Sequence, residues 1–180
     1  SGSYSTLITH QTLNPFITIG FAVIGSLVAN RQPRNPIGWI FMAVGCLFAL
    51  TSLAAAVTTS EPQHTFIYSI GSWFNSWIWL PAVLLPWAFV LPIFPDGQLP
   101  SPRWRFIIYI NIVGLAITSI AMMYIPDSLL DGSSGTNPFG SSRTLYLMNF
   151  GAVLLGAGFL GSLVAFFLRF RSSTGNQRLQ

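Results

Sequence analysis

The sequence predicts an all-α, polytopic transmembrane bundle of about five spanning helices, a single membrane domain over residues 1–180. Three observations lead there. Hydrophobic residues make up 52% of the chain and charged residues only 7%, against about 25% charged in ordinary globular chains. Eight arginines and four acids cannot clothe a water-facing surface of this size. The apolar residues fall in long runs without charge, and the arginines alternate between the connections in a way that implies a topology.

The spans are expected at about 15–30, 37–57, 66–94, 104–124 and 145–168. In hydrocarbon an isolated strand would leave its backbone unpaired, so segments of this length must be helices. The first is short for a crossing. Asn14-Pro15 and Asn35-Pro36 each set a capping side chain before a proline suited to the first helical position, and Ser101-Pro102 repeats the arrangement before the fourth span. Asp96-Gly97, after Pro95, is a turn signal between spans three and four.

The third span is longer than a perpendicular crossing needs and contains Pro81, Pro86 and Pro92. Each lacks an amide donor, which frees the carbonyls of Trp77, Ala82 and Ala88. A bend or break between Pro81 and Pro92 is expected, read either as a hinge or as a tolerated kink.

Charge placement gives the orientation. Arg31, Arg34, Arg103, Arg105, Arg169, Arg171 and Arg178 fall on one set of connections. The opposite set holds Glu61, His64, Asp127, Asp131 and a single arginine, Arg143. The positive-inside rule then puts the N-terminus outside and the C-terminus in the cytoplasm, in a plasma (inner) membrane. The segment from Pro126 to Thr144, rich in Gly, Ser and Asp, reads as the longest outer loop. The chain opens Ser1-Gly2-Ser3 without methionine, which reads as a trimmed start, and no basic stretch marks a cleavable signal.

No ionisable residue lies in the central part of any expected span, which argues against a pump or a charge-coupled transporter. No serine–histidine–acid set, phosphate loop, paired buried carboxylates or HExxH motif is present, so no enzyme, cofactor or metal site is expected. No basic stripe suggests nucleic acid. Cys46 lies mid-span and reads as a small hydrophobe. His10, Glu61, His64, Asp127 and Asp131 share the outer side and read as solvated loop residues, with a converging metal or proton sensor as the alternative. Trp73, Phe74, Trp77 and Trp79 read as an interfacial belt, or else as an aromatic pocket with Asn75 as polar anchor; Trp39 and Trp104 would anchor the inner interface. Ala157, Gly161 and Ala165, with Ala152 and Gly156 nearby, form a small-residue stripe fit for a homodimer seam or for packing within the bundle. Asn111 and Asn149 are expected to bond between helices.

Two loops go further. One reads Arg31-Gln32-Pro33-Arg34-Asn35-Pro36-Ile37-Gly38-Trp39-Ile40-Phe41, the other Phe94-Pro95-Asp96-Gly97-Gln98-Leu99-Pro100-Ser101-Pro102-Arg103-Trp104-Arg105. From about Asn14 to Gln180 the chain resembles the N-terminal multi-pass membrane region of a group of bacterial sensor histidine kinases, found widely in actinobacteria and Chloroflexi. That group shows an RPxNPIGW-like loop followed by an FPDGxLPSxRWR-like loop; Gln98 departs from it, standing where the group often has arginine. Arg169-Phe170-Arg171 and the tail through Gln180 look like the group's basic exit. The resemblance implies a membrane sensor of a two-component system, with a cytoplasmic signalling domain in cis. No phospho-accepting histidine region or ATP-binding motif lies within these residues, so it implies the sensor part alone.

The loops themselves are tight, proline-rich turns with arginines at headgroup level, able to meet anionic lipid or to hold neighbouring segments in register. Candidate signalling or lipid-facing residues are Arg31, Arg34, Asn35, Pro36, Trp39, Asp96, Gly97, Arg103, Trp104 and Arg105, with Pro81, Pro86 and Pro92 as candidate hinge. An accessory or structural subunit of a larger membrane complex is the alternative, and a carrier or flippase ranks below both. The topology has a direct test. A cysteine label placed near Gly132 reacts from outside the cell, and one near Gly97 reacts only after permeabilisation; the reverse pattern would show that the arginine bias misleads.

Overall fold

A computed structural model describes residues 2–62, 65–126, 137 and 139–176. The architecture is all-helical. Among the described residues six α-helices follow in order: α1 (Gly2–Arg31), α2 (Pro36–Ser60), α3 (Phe66–Leu85), α4 (Leu91–Ile93), α5 (Arg105–Met123) and α6 (Thr144–Asn176). A π-helical turn, Pro86–Val90, joins α3 to α4, and a 3-10 turn, Pro102–Trp104, leads into α5. Four segments are long and apolar enough to cross a membrane: Pro36–Ser60, Phe66–Ile93, Pro102–Met123 and Thr144–Arg171. Pro15–Arg31 is a shorter apolar stretch. His64, Asp127, Asp131, Gly132 and Arg178 lie outside the described residues.

Helix starts follow the expected chemistry in part. Asn35 is extended and its Oδ1 accepts from the Ile37 amide at 3.0 Å, with Pro36 in the first turn of α2. Thr65 caps α3 by accepting from the Tyr68 amide at 3.2 Å, a signal the sequence reading passed over. Asn14-Pro15 is not a helix start. Pro15 lies inside α1, which runs through it from Gly2. Proline's fixed φ suits a helix, and its penalty falls on one hydrogen bond and on contact with the preceding turn. Ser101 likewise makes no side-chain cap; the chain enters α5 through the 3-10 turn, closed by Trp104 N–H donating to the Ser101 carbonyl at 3.1 Å. The irregularity expected between Pro81 and Pro92 is the π turn itself, in which the Leu91 amide donates to the Pro86 carbonyl.

Neighbours in space follow the chain. α1 packs on α2, α2 on α3, α3 on α5 and α5 on α6, while α6 also reaches back to the π turn and α4. A third or less of each crossing segment is buried. The outward faces carry Phe16, Phe66, Tyr146, Val153 and Phe167, all exposed. So much apolar surface on every side suits lipid as solvent.

Lipid offers no hydrophobic drive for helices to associate, so close fit must supply the attraction. Small residues supply it here. A Cβ on Gly38 would stand 2.6 Å from the Ala29 amide nitrogen, and one on Gly25 2.6 Å from that of Met42. Gly45 lies over Ala22 in the same way. The α1–α2 seam is therefore backbone against backbone. At the α5–α6 seam, Gly114 faces Leu154 and Leu155, Gly151 faces Thr118, and Gly161 faces Ile107. Gly161 and the fully buried Ala165 thus pack inside the bundle, while Ala157 is exposed.

Gly38→Ala should lower stability by about 1–3 kcal/mol, because the backbone of α1 must move to admit a methyl group. Gly20→Ala, where a Cβ meets nothing within 4 Å, should change it by less than about 0.5 kcal/mol. Unfolding in mixed micelles titrated with SDS would measure both.

Candidate functional site

Two connections and the exit of α6 meet at the arginine-bearing end. Between α1 and α2, the Asn35 amide donates to the Gln32 carbonyl at 2.9 Å, and Asn35 Nδ2 donates to Gln32 Oε1 at 3.1 Å. The Trp39 indole N–H donates to the Pro33 carbonyl at 3.0 Å. Asn35 is therefore buried with both ends of its side chain in use.

The turn after α4 packs on this loop. The Phe94–Pro95 bond is cis, and Gly97 has φ +76°. Gly97 lies so close to Asn35 Oδ1 and Pro36 Cδ that a side chain would collide with both. Glycine is required twice over, by the positive φ and by the close approach. Its amide donates to the Ile93 carbonyl at 2.8 Å. Beneath it, Ile37, Val90 and Ile93 form a buried cluster, with Ile40, Phe41 and Leu99 packed against it. The two loop motifs are thus one structural unit.

Arg169 of α6 completes the assembly. Its Nη2 lies 2.6 Å from Asp96 Oδ1 and 2.7 Å from Oδ2, and its Nη1 donates to the Gln98 carbonyl. Asp96 is about half exposed, and an exposed ion pair is worth only about 0.2–1 kcal/mol. Its value is geometric, since one guanidinium spans a side chain and a backbone carbonyl of the same turn. Arg31, Arg34, Arg103 and Arg105 are exposed and Trp104 is half-buried. Those four arginines make no ion pair among the described residues.

Deeper in the bundle a polar knot joins three segments. Pro92 cannot donate to the Ala88 carbonyl, and Asn111 Nδ2 donates to it instead, at 2.7 Å. The same nitrogen lies 3.2 Å from Ser162 Oγ, whose own proton goes to the Gly158 carbonyl at 2.8 Å. Asn111 and Ser162 are fully buried. Glycine at 158 leaves room for this, because a Cβ there would run into Asn111 Oδ1 and push the amide out of place. That oxygen has no hydrogen-bond donor. Beside the knot, Val83, Trp87, Leu155 and Phe159 line a cavity of about 430 Å³. The other residue expected to bond between helices, Asn149, is exposed on α6.

At the opposite end the aromatic run has a structural use. The Trp73 indole N–H donates to the Met123 carbonyl at 2.9 Å, closing the C-terminus of α5. Asn137 Nδ2 also donates to Met123, and to the Ile125 carbonyl at 2.8 Å. Trp73 meets Trp77 and Phe139 edge-on. Trp79 stands exposed, bonded to the Ser76 carbonyl. Asn75, the expected polar anchor, lines neither of the two main cavities. Among the described residues no three His, Cys, Asp or Glu side chains converge to hold a metal. The geometry joins the α1–α2 loop, the turn after α4 and the exit of α6 into one clamped assembly.

No protein-family model, curated protein or solved structure matches the chain.

The proline and the asparagine should be energetically coupled. Asn111→Ala should destabilise the bundle by about 0.6–2 kcal/mol, as expected for one interhelical hydrogen bond in a membrane. In a Pro92→Ala background, where an amide again serves Ala88, the same substitution should lose less. A double-mutant cycle measures the difference, and strict additivity would mean that the bond does not compensate for the proline.

Proposed function

We propose that the chain is a non-catalytic signal-input domain of the inner membrane, with its arginine-bearing end in the cytoplasm. It hands a rearrangement of its helices to a cytoplasmic output through α6. The observation that carries this reading is the Arg169 clamp. It fastens the exit of α6 to the Asp96–Gln98 turn, which is continuous with the π turn through α4. A change at Pro86–Val90 therefore has a short covalent and hydrogen-bonded route to the helix that leaves the bundle. π turns recur at functional positions because their hydrogen-bond register can shift. The resemblance of the two loops to the membrane regions of sensor histidine kinases supports the same reading, and the loops it rests on are those that meet at the clamp.

The test uses the full-length gene product. Sequence beyond Gln180 should encode a signalling domain, and an intact gene without one would defeat the version with output in cis. With such a domain present, Arg169→Gln should uncouple stimulus from output while membrane insertion and detergent stability stay near wild type, since the exposed pair contributes little energy. Pro86→Ala should shift basal output, because an amide at that position favours α-helical hydrogen bonding across the turn. Unchanged signalling in both variants would reduce the clamp and the π turn to architecture.

A further inference from the structure

A second groove lies at the arginine end, walled by the last turns of α1, the start of α2 and the Phe94-Pro95 corner, with a volume of about 450 Å³. Its chemistry changes along its length. Arg31 and Gln32 line it one helical turn beyond Leu27 and Val28, so the polar groups stand toward the end of the bundle and the apolar ones toward its middle. Phe41 and Phe94 continue the apolar wall. Leu27 and Phe94 are about half exposed, which leaves the apolar arm open sideways to lipid. The exposed Trp39, hydrogen-bonded to the Pro33 carbonyl, sits at the same end, where an indole suits the headgroup layer.

The polar mouth is short of negative charge. Asp96, the one acid at this end among the described residues, is held by Arg169. Arg31 makes no ion pair among the described residues. Gln32 has its Oε1 occupied by Asn35 Nδ2, which leaves its amide N–H groups for an outside acceptor. A cation and an amide donor at the mouth of an apolar groove match a phosphate ester bearing acyl chains.

The geometry points to a site for an anionic phospholipid of the leaflet at the arginine end, with its phosphate on Arg31 and Gln32 and one acyl chain along Leu27, Phe41 and Phe94. A zwitterionic lipid carries the same phosphate but offsets it with its own cation. Inorganic phosphate carries the charge without the chain. The site stands independently of any signalling role.

Native mass spectrometry of the full chain in mild detergent, offered phosphatidylglycerol and phosphatidylcholine with identical acyl chains, reads the preference directly. Phosphatidylglycerol should be retained several-fold over phosphatidylcholine. Arg31→Gln should cut that preference about fivefold. Arg143→Gln, at the other end of the bundle, should leave it intact. Leu27→Trp fills the apolar arm without changing charge, and should reduce retention of both lipids while the circular dichroism stays helical. Millimolar inorganic phosphate should not displace bound phosphatidylglycerol. Equal losses in Arg31→Gln and Arg143→Gln would overturn the proposal in favour of diffuse charge. Full retention in Leu27→Trp, or displacement by phosphate, would overturn it in favour of a simple anion contact.

Discussion

A carbonyl deprived of its helical donor inside hydrocarbon must find another donor within the protein, and the bundle's centre is arranged around one such carbonyl. Pro92 leaves Ala88 without an amide, and Asn111 answers from α5. Because no water competes there, that donor holds its place. It then draws in Ser162 and, through it, the backbone of α6 at Gly158. One missing N–H thus accounts for a fully buried asparagine, a fully buried serine and a glycine whose Cβ would displace that asparagine. The π turn that precedes Pro92 belongs to the same accommodation, since a helix with prolines at 86 and 92 cannot keep an unbroken i to i−4 ladder.

Around this centre, packing replaces the hydrophobic effect. The α1–α2 and α5–α6 seams rely on glycines whose absent side chains let backbones approach closely. Such seams gain dispersion contacts and weak Cα–H···O contacts, and they tolerate very little added volume. Large side chains are sent outward instead, where lipid accepts them without penalty.

The arginine end obeys different physics. There the helices reach the headgroup layer, and charge becomes useful. Asp96 engages Arg169, and this pair ties α6 to the turn after α4. Arg31, Arg34, Arg103 and Arg105 are exposed and make no ion pair among the described residues. The result is an end that is mechanically joined and electrostatically positive.

Much of this was legible in the residues. Charge-free runs of the right length dictate helices, because hydrocarbon permits nothing else to an isolated segment. The arginine alternation implies which loops share an end, and the contacts of Asn35, Gly97 and Arg169 join those same loops. Pro92 exposes the Ala88 carbonyl by covalent structure alone, and Asn111 is recognisable as a polar group needing a partner. What the sequence by itself could not determine is which groups would meet. A helical period tells which residues share a face, but not which helix that face will touch or at what height. Only tertiary packing decided that Asn111 serves Ala88, that Gly25 and Gly38 make the first seam while Ala157 of the visible stripe stays outside, and that the Trp73 indole closes the end of α5. The physical reason is that small residues and single amides are satisfied by many partners, and the choice among them is made by the fit of whole helices.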